Sequence, residues 1–87
     1  MSDVFDRLKS GIADYPGIDI DMSKVTRAAH LRDDLGFDSL DEVALELLVE
    51  EEFGIFVPVG SSDEWRTISN VVAFVEDAIG SKGQADE

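Results

Sequence analysis

The stretch DSLDEVALELLVEEEF, residues 38 to 53, places apolar residues on two opposite sides of a helix. At ~100° per residue, Leu45, Leu48, Val49 and Phe53 gather on one side, and Leu40, Val43, Ala44 and Leu47 lie roughly opposite. A helix with one core to cover needs a single apolar stripe. The first stripe is therefore read as core and the second as a docking surface, bordered by Asp38, Asp41, Glu42, Glu46, Glu50 and Glu51. No Lys or Arg occurs in the segment. Asp38, followed by Asp41, reads as a capping pair, and Gly54 as the stop. With the cap position filled by Asp38, the Ser39 hydroxyl is left free beside unpaired backbone N–H groups. A phosphate ester is favoured at such a place.

Outward from this helix, the pattern predicts three more. Ser2 is a candidate cap for the first, with Asp3 and Asp6 near its positive end and Val4, Phe5, Leu8 and Ile12 at helical spacing. Pro16 and Gly17 end it. From there to about Phe37 the pattern is irregular, which predicts a long loop pinned by Val25, Leu31 and Leu35. Beyond Gly54, the run Ile55, Phe56, Val57 before Pro58 is extended in character. No second strand-like run is present to pair with it, so it reads as a buried connection. Ser61 or Ser62 is placed to cap a one-turn third helix carrying Trp65. Thr67 opens the last helix, in which Ile68, Val71, Val72, Val75 and Ile79 keep one face and Gly80 is the expected stop. Its β-branched valines are weak helix formers, so packing must hold it helical. The expected fold is all-α, a four-helix bundle with a short third helix and a long loop between helices 1 and 2. One domain covers residues 1–80, and 81–87 read as a disordered acidic tail.

The formal charge of −13 argues against nucleic acid, whose phosphates would be repelled, and against an anionic membrane surface. No segment has the make-up of a secretory signal or a membrane span. There is no cysteine for a disulfide or a thiolate metal site. A cytoplasmic monomer is the expectation. Between Arg32 and Arg66 lie eleven acids and no base. The pairs Asp38 with Glu42, Glu42 with Glu46 and Glu46 with Glu50 are like charges one turn apart, each unfavourable by ~0.2–0.5 kcal/mol. A solvated acidic face is the simplest account of such a run. Acids flanking exposed leucines, without neutralising lysines, point instead to a surface that basic patches on partners recognise.

Catalysis is not indicated. GFDSL lacks the glycine after serine that a nucleophile elbow requires, and the only histidine, His30, sits in a loop and reads as a bystander. Residues 19 to 30 open like a calcium loop, but Lys24 and His30 occupy the positions that need glycine and glutamate. No catalytic residue and no metal site are therefore expected.

The segment Asp33 to Pro58 resembles the acyl carrier protein family. The likeness rests on the Asp38-Ser39-Leu40 triplet after the turn Asp34-Leu35-Gly36, on Glu50 to Phe53 (EEEF), and on Pro58, and it extends to Thr67, Ile68, Val71, Val72, Phe74 and Val75. The resemblance implies that Ser39 carries 4′-phosphopantetheine, attached from coenzyme A by a phosphopantetheinyl transferase. The arm would hold acyl groups as thioesters in fatty acid or polyketide biosynthesis. The protein would itself catalyse nothing, and would present its cargo to ketosynthase, acyltransferase and other synthase enzymes bearing basic patches. By position, Leu40, Val43 and Leu47 match apolar docking residues, and Asp38, Asp41, Glu50 and Glu51 match acidic contacts. Leu31, Val49, Trp65, Ile68 and Val71 are the positions implied near a sheltered acyl chain.

The chain also departs from the family. Ala44 stands where glutamate is common, and Phe37 is bulkier than the frequent alanine. Glu42 and Glu46 fall where small or apolar residues usually line the pocket. Carboxylates there either resist desolvation, so that long saturated chains are held poorly, or turn out to solvent. With a longer first loop and a less acidic VGSSDE after Pro58, the departures imply a specialised carrier for a polyketide or modified fatty acid. Trp65 reads as partial core cover that would also lid the acyl pocket. A carrier of another activated acid, aminoacyl or D-alanyl, would use the same arm. An unmodified helical interaction module is the third reading.

Overall fold

The computed structural model describes residues 3–86, with side chains through Gly80. Three α-helices, α1 (Val4–Asp14), α2 (Ser39–Phe53) and α3 (Ile68–Asp86), pack around one core, and two 3-10 turns, Met22–Lys24 and Ser61–Glu64, interrupt the connections. The architecture is all-α, as expected, with a single 3-10 turn where a short third helix was expected. Among the described residues there is no strand, only an isolated bridge between His30 and Thr67.

The core is drawn from every helix: Leu8 and Ile12 from α1, Leu45, Leu48, Val49 and Phe53 from α2, and Ile68, Val71, Val72 and Val75 from α3. Each such side chain contributes ~1.5–3 kcal/mol by leaving water, which is what holds the valine-rich α3 helical. The long loop adds Ile18, Val25, Ala29, Leu31, Leu35 and Phe37 to the same cluster, so it is pinned as the sequence implied. It is also strapped to the start of α3. The Ile68 and Ser69 N–H groups donate to Ala29 O and Arg27 O at 3.0 and 2.8 Å, and Leu31 N–H donates back to Arg66 O at 2.8 Å. The loop thus satisfies first-turn donors of α3 that the helix itself cannot.

Cations are used sparingly and at helix ends. Nothing basic lies in the last turn of α2, and Arg7 of α1 supplies the missing charge: its Nη2 donates to Glu52 O at 2.7 Å and its guanidinium lies 4.6 Å from the Phe53 ring centroid. Arg27 likewise pairs with Asp3 at 2.9 Å and covers the Phe5 ring. Asp21 caps the first 3-10 turn, where the hydroxyl and N–H of Ser23 hold its carboxyl below the ordinary 3.8.

Several expectations are corrected. Asp3, not Ser2, caps α1, its carboxylate accepting the Asp6 N–H at 2.9 Å; Ser2 lies outside the described residues. The second 3-10 turn begins after Gly60 and has no side-chain cap from its own serines: Ser61 Oγ instead donates to Pro58 O. Gly80 does not stop α3. A terminating glycine takes a positive φ, as Gly54 does at 64°, and Gly80 is not among the glycines that do. The backbone read as a tail is helical through Asp86, and Glu87 lies outside the described residues.

Candidate functional site

The site is built on the first turn of α2. Asp38 accepts the Asp41 N–H at 2.9 Å, and the Asp41 carboxylate accepts the Asp38 N–H at 3.1 Å, a closed capping box. These bonds leave the Ser39 hydroxyl outside the box, exposed on the first helical residue. The N–H groups of Ser39 and Leu40 have no backbone acceptor, so two dipoles point outward beside that oxygen. A hydroxyl so placed fits a phosphodiester, because the ester's negative charge meets the positive end of a 15-residue helix.

The outward stripe follows directly. Leu40, Val43 and Leu47 are exposed by 79%, 52% and 49%, large values for apolar residues on a helix that buries Leu45, Leu48 and Val49. Ala44 does not share that stripe. It is half-buried against the core and faces Gly17. Asp38 and Glu51 are exposed and Asp41 is half-buried. Glu50 is half-buried and already engaged, accepting the Val57 N–H at 2.9 Å and so fixing the connection after α2. Of the run expected to form a buried connection, Ile55 and Val57 are buried but Phe56 is exposed, as is Val59 beyond Pro58.

Glu42 and Glu46 do not turn to solvent. Both are buried, on the edge of α2 that faces the long loop and the second 3-10 turn. Glu42 receives a bidentate bond from Arg32, Nε to Oε2 at 2.7 Å and Nη2 to Oε1 at 3.0 Å, and its carboxylate in turn holds the Arg32 guanidinium proton above the ordinary value. Glu46 Oε2 accepts the Ser62 N–H at 2.8 Å and serves as the cap that the turn's own residues do not supply. Of these two buried carboxylates, Glu42 is thus paired with a cation and Glu46 with a neutral backbone donor.

Of the positions implied for an acyl pocket, Leu31, Val49, Trp65, Ile68 and Val71 are all buried in one cluster. Only Trp65 also borders open space. It lines a cleft of about 380 Å³ together with His30, Arg32, Glu42, Asp63 and Arg66. The sequence reading passed over Arg32, Asp63 and Arg66 and set His30 aside. No periodicity links Arg32 to a carboxylate ten residues on, so only the path of the loop reveals the pairing. Among the described residues no helix is long and apolar enough to cross a membrane.

The family model for the phosphopantetheine attachment site matches residues 6–75. An acyl carrier protein of Sinorhizobium fredii and the acyl carrier protein AcpP of Rhizobium meliloti are each 42% identical over 78 residues, covering 90% of this chain and 97% of theirs. The chain belongs to the acyl carrier protein family. As an acyl carrier it works through covalently held 4′-phosphopantetheine, and the exposed serine at the positive end of α2 is of the chemistry such a group needs.

Proposed function

We propose that Ser39 is the attachment point of 4′-phosphopantetheine and that this chain is a non-catalytic, cytoplasmic, monomeric carrier. The observation that supports it is the Asp38–Asp41 capping box, which occupies both carboxylates and leaves the neighbouring hydroxyl exposed. In the loading step Ser39 Oγ attacks the phosphorus of coenzyme A that bears the pantetheine. A phosphodiester forms, the bond to the adenosine bisphosphate breaks, and the serine proton leaves with a base of the transferase. When bound, the group supplies a terminal thiol that holds acyl chains as thioesters. The chain's own residues then present and steer it. Leu40, Val43 and Leu47 offer a small apolar contact, and Asp38, Asp41, Glu50 and Glu51 draw basic patches of the transferase, ketosynthase and acyltransferase toward it. Fatty acid or polyketide synthesis is the reaction class served.

Incubation with coenzyme A and a broad-specificity phosphopantetheinyl transferase, followed by intact-mass measurement, tests this reading. The wild type gains one phosphopantetheine and Ser39→Ala gains none while staying folded by circular dichroism. A wild type that gains no mass, or a Ser39→Ala variant that does, overturns it.

A further inference from the structure

We propose that the cleft beside Trp65 selects an acyl cargo bearing oxygen along its chain, as hydroxyl or keto groups, over a saturated chain of equal length, and that the Arg32–Glu42 pair sets this preference. The inference rests on Ser39 being the attachment point. Glu42 lies one turn from Ser39 on α2, about 4.5 Å along the axis, so an arm rooted at Ser39 starts beside the cleft. The volume of about 380 Å³ is within the range of small-ligand sites.

The lining decides what enters. Trp65 is the apolar floor, only 4% exposed and edge-on to Phe74 at 5.4 Å between centroids. Behind it Leu31, Val49, Ile68 and Val71 are fully packed. The walls in front are charged. The Glu42 side chain is 10% exposed while that of Arg32 is 64% exposed, so the pair draws its remaining hydration from the Arg32 side. A methylene chain lying over the pair strips that water and returns no hydrogen bond. An oxygenated chain replaces it. A keto oxygen accepts from Arg32 or from Arg66, whose guanidinium has no ion-pair partner among the described residues, and a hydroxyl accepts from the same arginines while donating to Glu42 or Asp63. Glu46, bonded to Ser62 N–H on the same edge, keeps the wall beyond Glu42 from being apolar.

The test uses Trp65, the single tryptophan, as reporter. The protein is loaded enzymatically from the coenzyme A thioesters of octanoic acid and of hydroxyoctanoic acids with the hydroxyl near, midway along or at the far end of the chain. Intact mass verifies each load, and a failure to load would overturn the Ser39 assignment itself. Trp65 emission and its indole N–H chemical shift are then compared with the unacylated holo form. At least one hydroxyoctanoyl form is expected to move both signals, and the octanoyl form to leave them unchanged. The Arg32→Met/Glu42→Val double variant should reverse that order. Arg66→Gln, which leaves the pair intact, should reduce the hydroxyoctanoyl shift. An octanoyl shift equal to or larger than every hydroxyoctanoyl shift in the wild type, no shift with any cargo, or an unaltered order in the double variant would each overturn the proposal.

Discussion

Arg32 and Glu42 form a two-pronged ion pair between the long loop and α2, at 2.7 and 3.0 Å, with the carboxylate end nearly sealed and the guanidinium end in water. The two ends are therefore unequal. Arg32→Ala leaves a buried carboxylate with no partner, whereas Glu42→Ala leaves only an arginine that solvent can hydrate. We expect Arg32→Ala to lower stability, because it strands the Glu42 carboxylate, which is only 10% exposed. Glu42→Leu is expected to be neutral or stabilising, as replacement of buried charges by apolar groups often is. Urea denaturation of the two variants checks the order; equal losses would show that the pair is held by its contacts rather than by charge.

Glu46 offers a cleaner case, because its partner is a backbone N–H that has nowhere else to turn. Ser62 is buried, and the 3-10 turn in which it lies has no side-chain cap of its own. Glu46→Ala should cost ~1–3 kcal/mol by leaving that donor unsatisfied. Glu46→Gln keeps an acceptor and loses only the charge, so it should retain most of the stability. Amide exchange of Ser62 is the direct readout, accelerated in the alanine variant and near wild type in the glutamine variant.

What could be read without coordinates was whatever repeats at short range. The Asp38–Asp41 box, the αL stop at Gly54 and the buried stripe of α2 were all legible, since caps and helical periodicity are written within a few residues. The partners of Glu42, Glu46 and Glu50 were not. Each is satisfied by a group seven to sixteen residues away, brought there by a loop path that no local pattern encodes. Ala44 was misplaced for a related reason: at the stripe's margin, a neighbouring loop decides burial, and Gly17 lies within contact of it.

Gly54 ends α2 with a positive φ, whereas Gly80 lies within α3 without one. Gly54 has φ 64° and a substituted Cβ would meet nothing within 4 Å, so strain in the backbone alone sets the cost of Gly54→Ala, about 1 kcal/mol. Gly80 has ordinary helical geometry and equally open surroundings. Gly80→Ala should therefore stabilise, by up to ~1 kcal/mol. Thermal denaturation of both variants should shift in opposite directions. A loss at Gly80 would mean that α3 does not run through it.

Leu47 and Leu48 are adjacent, and the fold assigns them opposite tasks: 49% of the first is exposed and 3% of the second. Leu48→Ala opens a cavity between α1 and α2 and should cost ~2–5 kcal/mol. Leu47→Ala touches no core and should stay within ~0.5 kcal/mol of wild type. If the outward stripe is where partners grip, the order reverses in a loading assay with the transferase. There Leu47→Ala should raise KM several-fold with kcat little changed, as removal of a central apolar contact of ~1 kcal/mol or more would. Leu48→Ala, assayed at a temperature where it remains folded, should load as the wild type does. Unchanged loading of Leu47→Ala would remove the stripe from the transferase's footprint, because nothing inside the domain then accounts for a leucine kept in water at that position.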